Sequence, residues 1–209
     1  PVWDQVDAVL WWTDINGRRM HRFDPRTGRD EAFELGIRVG CFALRAKGGM
    51  ILAAEHGFWS WMPGSGAPEH LFDVEADRID NRMNDGGCDR AGNLFASSMN
   101  LSDPRRPEGA CWRLTPDLRA ERILDGIRIG NGIAFSPDGG IFYFADTPTN
   151  QVIARAYDAA SSRIGPPRLF TDTTALEGLP DGATVDAEGG YWLAGVTGGE
   201  LYRFTPDGG

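Results

Sequence analysis

The sequence predicts an all-β fold of the β-propeller type, and three observations lead to this prediction. A similar phrase recurs five times along the 209 residues. Its period is about 40 to 50 residues, the range of one four-stranded propeller blade. Glycine-bearing turns separate runs such as LWW, IFYF and YWL, which are rich in strand-forming aromatic and aliphatic residues. Few stretches have apolar residues at the helical period.

Each repeat consists of a strand, a glycine turn, a second strand, a polar connection and a third strand, with a short fourth strand after it. The five copies begin PVWDQVDAVLWWTD, GCFALRAKGGMILAAE, NDGGCDRAGNLFASSM, NGIAFSPDGGIFYFAD and DGATVDAEGGYWLAG. Within them, SPDGG and DAEGG are predicted to form hairpin turns with Gly at a positive φ. The fifth copy stops at TPDGG, before its outer strand.

The length of the repeat sets an expectation for the whole fold. Six blades of this size require roughly 280 residues. We therefore expect a six-bladed propeller that is present as an incomplete ring of about five blades. We expect residues 1–209 to form a single, partial domain that lacks an N-terminal segment and a C-terminal blade.

The charge and the cysteine content limit which classes of partner and which cellular compartment the sequence favours. The net charge is −9 and no basic stretch occurs, which argues against nucleic acid and anionic membranes as partners. No apolar run approaches the ~18 residues of a membrane helix. Cys41, Cys88 and Cys111 are an odd number without CxxC spacing and are predicted to be reduced thiols. We expect a cytoplasmic protein, although a chain that begins at Pro1 leaves an N-terminal signal open.

Three copies place an Asn or Asp before Gly at the same point of the repeat. These residues are Asn84, before Asp85-Gly86, then Asn131 and Asp181. One such pair alone is typical of a turn, and Asp85 is expected to be a turn residue. Three at equivalent positions instead favour a shared site, because equivalent positions of different blades can converge at one end of the central channel. Amide and carboxylate oxygens suit Ca²⁺, Mg²⁺ or Mn²⁺, and no His joins the set.

Four phrases carry a family resemblance. The phrases LWWTDINGRRMHRFDPRTG, NRMNDGGCDRAGNLFASSM, IGNGIAFSPDGGIFYFADT and GLPDGATVDAEGGYWLAG resemble the gluconolactonase and regucalcin (senescence marker protein) family. The resemblance spans nearly the whole chain in the same order. It implies a six-bladed propeller that opens a small-molecule sugar lactone with one divalent metal ion. Ca²⁺ is the first candidate, and Zn²⁺, Mn²⁺, Mg²⁺ and Fe²⁺ are the others. The oligomeric state is not predicted.

The resemblance also implies roles for individual residues. Asn131 and Asp181 match metal ligands, and Asp181 also matches the proposed general base. Asn84 matches a residue at the metal that contacts the substrate or a metal-bound water, and Arg82 matches a substrate-binding arginine. The family's remaining ligand is a Glu just before a Gly-Pro-Val-Trp phrase, and this sequence begins at Pro1. Charge count is a main control of cation affinity, so we expect the chain as written to bind metal weakly, and the sequence leaves open whether it turns over a lactone.

Other polar and aromatic residues are expected to be structural. Asp14 and Asp146 end second strands and should bond to backbone. His21, His56 and His70 are scattered, without a partner constellation. Trp11, Trp12, Trp59, Trp61 and Trp192 are expected to pack between blades.

Three functions remain open from the sequence. The first is a metal-dependent lactonase, in which the cation polarises the carbonyl and Asp181 serves as ligand or base. The second is a related metal-dependent hydrolase of another lactone or of a phosphotriester. The third is a catalytically silent propeller that binds calcium or a partner. Fold alone does not choose among them.

Overall fold

The computed structural model describes residues 1–161 and 163–209. The described residues form antiparallel sheets that follow one another in chain order, and each sheet corresponds to one sequence repeat. This confirms the predicted all-β class and the five blades. The chain divides into two compact units, residues 1–83 and residues 84–209.

The first unit contains the first two blades, each with four strands in sequential order. The strands of the first blade are β1 (Val2–Asp4), β2 (Val9–Asp14), β3 (Arg19–Asp24) and β4 (Arg29–Glu34). The strands of the second blade are β5 (Val39–Leu44), β6 (Met50–Ala54), β7 (Gly57–Trp61) and β8 (Glu69–Asp73).

An apolar cluster joins the two blades of the first unit. Trp11 and Trp61 are both buried in it and meet edge to face, with ring centroids 6.2 Å apart. Such edge-to-face contacts add to the free energy gained from burying the rings. Thr13 adds a polar link by donating its hydroxyl to the carbonyl of Val39 at 3.0 Å.

The second unit contains the third, fourth and fifth blades, with β9 counted in it from Asn84 onward. The third blade has β9 (Asn81–Cys88), β10 (Leu94–Asn100), β11 (Gly109–Leu114) and β12 (Ala120–Ile127). The fourth has β13 (Gly130–Phe135), β14 (Ile141–Asp146), β15 (Gln151–Asp158) and β16 (Arg163–Asp172), with a 3₁₀ turn at Thr147–Thr149. The fifth has β17 (Leu179–Val185), β18 (Tyr191–Val196) and β19 (Glu200–Phe204).

Aromatic side chains fill the spaces between the blades of the second unit. Phe95 of the third blade lies 5.3 Å from Phe142 of the fourth, measured between ring centroids. Tyr143 of the fourth blade lies 5.0 Å from Tyr191 of the fifth. The strand β13 is almost wholly buried, and it lies beside β17. This packing holds the first strands of the fourth and fifth blades next to each other.

The two predicted hairpin turns are confirmed. Gly139 and Gly189 have φ values of 76° and 86°, which favour glycine. Aspartate side chains bond to the turn backbone: Asp138 accepts from the N–H of Gly140 at 2.9 Å, and Asp186 accepts from that of Gly190 at 2.8 Å.

The remaining structural expectations have mixed outcomes. None of the three cysteines forms a disulfide within the described residues; Cys41 and Cys111 are buried and Cys88 is exposed. Trp11 and Trp61 pack between blades as expected. Trp192 instead contacts its own blade, donating its indole N–H to Asp186 at 2.8 Å. No helix in the described part of the chain is long and apolar enough to cross a membrane.

Candidate metal and substrate site

The Asn-Gly and Asp-Gly pairs of the fourth and fifth blades lie in β-bulges of the first strands. The β13–β14 pairing shifts register between Asn131 and Ala134. The β17–β18 pairing shifts between Pro180 and Ala183. A bulge leaves residues out of the ladder and turns their side chains in a new direction, which is common beside functional sites. Asn131 is the last paired residue before the shift in β13, opposite Ala145, and Asp181 is the first residue after the last pair in β17, that of Pro180 with Gly195. Both therefore lie at the bulges of neighbouring blades.

Tyr191, a residue of the fifth blade, stabilises the bulge of the fourth blade. The hydroxyl of Tyr191 donates to the carbonyl of Gly132 at 2.8 Å. Burial raises the pKa of this hydroxyl well above its ordinary value, so it remains a donor at neutral pH. Gly132 has a φ of 63°, and a Cβ at this residue would lie 2.5 Å from the Tyr191 hydroxyl oxygen. Both the backbone conformation and the space therefore require glycine here.

The structure brings Asn84 and Asn131 into direct contact. The amide nitrogen of Asn84 donates to the carbonyl of Gly130 at 2.9 Å and to Oδ1 of Asn131 at 3.2 Å. Asn131 is buried and Asn84 is half-buried. The third and fourth blades thus place two side-chain amides together within the second unit.

A hydrogen-bond chain leads from Asn131 to the bulge of the fifth blade. The amide nitrogen of Asn131 donates to the hydroxyl of Thr147 at 2.7 Å. That hydroxyl donates to the carbonyl of Pro180 at 2.8 Å. Pro180 directly precedes Asp181, so Thr147 links the two bulges. Thr147 was missed by sequence reasoning, because its partners lie 16 and 33 residues away and nothing local marks it.

Asp85 is not the turn residue that the sequence predicted. It lies inside β9, and its Oδ2 accepts the backbone N–H of Ile133 at 3.0 Å. The carboxylate thereby satisfies a donor of β13 just beyond the bulge. Sequence reasoning failed here because Asn-Asp-Gly is typical of turns, whereas the fold uses it in a strand.

The carboxyl group of Asp85 is in an unusual electrostatic environment. Burial raises its pKa to about 7, backbone hydrogen bonds from Ile133 and Gly86 oppose this rise, and the negative charge of Asp181 adds to it. Part of the residue's surface is accessible, but the surrounding protein atoms weaken the hydration of the carboxylate. Two neighbouring negative charges are an environment that a cation stabilises.

Arg82 belongs to the first unit. It is half-buried, and its Nη1 donates to the carbonyl of Met83 at 2.8 Å. Its role toward a substrate stays a prediction.

The residues expected to be structural do bond within the fold. Asp146 accepts the backbone N–H of Ile129 at 2.9 Å, and Asp14 accepts that of Gly17 at 2.8 Å. The partners of the three histidines are Asp30 for His21 at 2.6 Å, the carbonyl of Ile79 for His56 at 3.0 Å, and Asp73 for His70 at 2.9 Å.

The donor set fits a hard divalent cation in its chemistry. Asn84 and Asn131 supply amide oxygens and Asp181 supplies a carboxylate, the ligand types that Ca²⁺ and Mg²⁺ prefer. Across residues 1–161 and 163–209, no group of three or more His, Cys, Asp or Glu side chains is arranged to hold a metal. A metal centre at this place would therefore depend on amide oxygens for two of these three ligands.

Comparison with known proteins gives consistent matches along the whole chain. The chain is 36% identical over 210 residues to a 6-deoxy-6-sulfogluconolactonase of Pseudomonas putida, covering 100% of this chain and 71% of that protein. It is 33% identical to human regucalcin over 212 residues, covering 99% and 70%. The structure of a calcium-binding protein, regucalcin, from Agrobacterium tumefaciens superposes with a TM-score of 0.93 at 28% identity, covering 100% of this chain and 70% of that chain.

A family model describes the same region. The model of the SMP-30/Gluconolactonase/LRE-like region matches residues 1–209. The resemblance predicted from the four sequence phrases is confirmed. The chain belongs to the SMP-30/gluconolactonase/LRE-like family.

Proposed function

We propose that the protein is a divalent-metal-dependent hydrolase of sugar lactones whose site includes Asn84, Asn131 and Asp181. The observation that carries this proposal is the contact of two amides, Asn84 and Asn131, next to a bulge that bears Asp181. The lactonase named among the relatives, 36% identical over the full chain, supports the reaction class. The oxygen ligands favour Ca²⁺ first, with Mn²⁺, Mg²⁺, Zn²⁺ and Fe²⁺ as other candidates.

In this proposal Asn131, Asp181 and Asn84 hold the cation. When bound, the cation supplies Lewis acidity toward the lactone carbonyl and stabilises negative charge on its oxygen. The amide of Asn131 is held by Thr147 and that of Asn84 by the carbonyl of Gly130. Fixed amide orientations reduce the entropy lost when a ligand is bound.

Asp181 is the proposed proton acceptor. A water oxygen bonds to the lactone carbonyl carbon while its proton passes to the Asp181 carboxylate. The bond between that carbon and the ring oxygen then breaks, and the ring oxygen takes up the proton that Asp181 accepted, which restores the carboxylate. The product is the open-chain hydroxy acid. Asn84 and Arg82 are the proposed contacts for the sugar hydroxyls, and the planar guanidinium of Arg82 suits several oxygen acceptors at once.

The test is turnover of a panel of sugar lactones by the purified protein before and after treatment with a chelator. We expect the activity to disappear with chelator and to return with Ca²⁺ or Mn²⁺. Asp181→Asn keeps the shape but removes the negative charge, and should lower kcat by roughly 100-fold or more. Asp172→Asn changes an exposed carboxylate of the same unit that bonds to Thr174, and should leave kcat within about twofold. Chelator-resistant turnover, or an Asp181→Asn variant at the wild-type rate, would rule out the proposal.

A catalytically silent calcium-binding propeller is the second candidate. The calcium-binding regucalcin, at a TM-score of 0.93 and 28% identity, favours it. Calorimetric titration with Ca²⁺ separates the two functions. Binding that Asp181→Asn abolishes, without hydrolysis of any lactone in the panel, would favour the silent protein.

A further inference from the structure

We infer that Thr147 is a positioning residue that sets the orientation of the Asn131 amide, so that Oδ1 of Asn131 faces the proposed cation. This inference rests on the proposed function for its cation, but its structural part concerns only Asn131 and Thr147. Thr147 is 4% exposed and lies outside the set of proposed ligands. Its role follows from the number of protons that each group can donate.

A threonine hydroxyl has one proton to donate. Thr147 donates it to the carbonyl of Pro180, which has no proton to give in return. The hydroxyl oxygen can therefore only accept at its contact with Asn131, and the end of the Asn131 side chain that faces it must be the NH₂ group. Oδ1 then lies on the opposite side, where Asn84 approaches at 3.2 Å. With the amide reversed, two oxygens would face each other at 2.7 Å.

The hydroxyl itself is held firmly. Thr147 is the first residue of the 3₁₀ turn, and its backbone N–H donates to the carbonyl of Ile129 at 3.0 Å. The preceding residue, Asp146, accepts the backbone N–H of Ile129. These two contacts of Asp146 and Thr147 with Ile129, the residue just before β13, leave the threonine little freedom. A rigid partner behind a ligand reduces the motion of that ligand, as in well-characterised metal sites.

The same hydroxyl also braces the second proposed ligand. Its acceptor is the carbonyl of Pro180, the residue directly before Asp181 at the start of the β17 bulge. One side chain thus touches the side chain of Asn131 and the backbone beside Asp181. Loss of the hydroxyl should loosen both ligands together, whereas loss of an ordinary buried hydrogen bond should only lower stability.

Three variants test the inference by calorimetric titration with Ca²⁺ and with Mn²⁺. Thr147→Val keeps the shape and removes the hydroxyl, and should weaken binding by roughly 10- to 100-fold. Thr147→Ser restores the hydroxyl and should bind within about threefold of wild type. Thr173→Val is the matched control: Thr173 is also buried and donates to the carbonyl of Asn150 at 3.1 Å, so this variant should bind as wild type does while losing stability.

A second measurement needs no cation. In the metal-free protein, NMR should show one side-chain amide proton of Asn131 protected from exchange with water, and Thr147→Val should remove that protection. Protection without any cation binding would refute the proposed function but keep the positioning role. Wild-type affinity in a folded Thr147→Val variant would overturn the inference. So would an unprotected Asn131 amide in the wild-type protein, which can be measured even if the valine variant does not fold.

Discussion

The first strands of the second and fourth blades both shift register near the same point of the repeat, but they have different side chains there. Asn131 lies nine residues before Gly140, which closes the first hairpin turn, and Gly40 lies nine residues before Gly49. The β5–β6 pairing shifts register between Val39 and Cys41, around Gly40. The second blade therefore has the backbone irregularity without a side chain that could bind anything.

The two blades also share a carboxylate brace. Glu55 ends the second blade's hairpin and accepts the backbone N–H of Arg38 at 3.0 Å. Asp146 holds the equivalent place in the fourth blade and accepts the N–H of Ile129 at 2.9 Å. Bulge and brace thus belong to the architecture of the repeat. The side chains added in the fourth blade, Asn131 and Thr147, belong to the proposed site.

Replacing Asn131 by the glycine that the second blade has at the matching position should have the largest effect, which is on Ca²⁺ affinity. Asn131→Gly removes a proposed ligand and should weaken Ca²⁺ binding by roughly 100-fold or more in calorimetric titration. Because the bulge exists without a side chain in the second blade, we expect the fold to survive. The free energy of unfolding in urea should fall by about 1–2 kcal/mol for the lost hydrogen bonds. If the Ca²⁺ affinity of Asn131→Gly equalled that of the wild-type protein, Asn131 would not be a metal ligand.

The bulge itself is tested by Gly132→Ala. An L-residue at this positive φ costs about 1–2 kcal/mol, and the contact with the Tyr191 hydroxyl should add about 1–3 kcal/mol, measured by urea unfolding. Gly126→Ala is the matched control, since Gly126 has a φ of 71° and nothing within 4 Å of the new Cβ. Equal losses in the two variants would show that the Tyr191 contact does not restrict the bulge.

The braces should contribute similarly in both blades. Glu55→Ala and Asp146→Ala each leave backbone N–H groups without their acceptor, and each should lower the free energy of unfolding by about 1–3 kcal/mol. Glu55→Gln and Asp146→Asn keep an acceptor oxygen and should lose less. If only Asp146→Ala were destabilising, the brace would be particular to the fourth blade and not a property of the repeat.

The smallest expected effect concerns the reactivity of a thiol in the third blade, outside the second and fourth blades compared above. Cys88 is exposed, whereas Cys41 and Cys111 are buried, so a thiol reagent should modify one cysteine per native chain. Desolvation around its sulfur, and then the charge of Asp89, raises the pKa of Cys88 to about 11. Only the thiolate reacts, so the rate should rise about tenfold per pH unit from pH 8 to 10. Cys88→Ser should remove the reaction, and a rate that levels off near pH 9 would contradict the raised pKa.

The repeat pattern was sufficient to predict the blades and to single out Asn84 and Asn131, which the structure brings into contact. The place of Asp181 in the same site stays a prediction. The pattern could not distinguish a bulge from a turn, because both use Asn-Gly and both need a residue that tolerates positive φ. It could not identify Thr147, whose partners come from distant segments. Asp85 was assigned to a turn because its local sequence suits one, while its acceptor role depends on β13 lying alongside β9.

The hydroxyl of Tyr191 on the carbonyl of Gly132 has a consequence for protein engineering. The bulge beside Asn131 accepts a hydrogen bond from a phenol of the following repeat. A fourth blade transplanted alone to another scaffold would therefore lack the contact that holds its bulge. A transplanted piece has to include both the fourth and the fifth blade, residues 130–204, to keep the hydrogen bond from Tyr191 to Gly132 and the ring contact between Tyr143 and Tyr191.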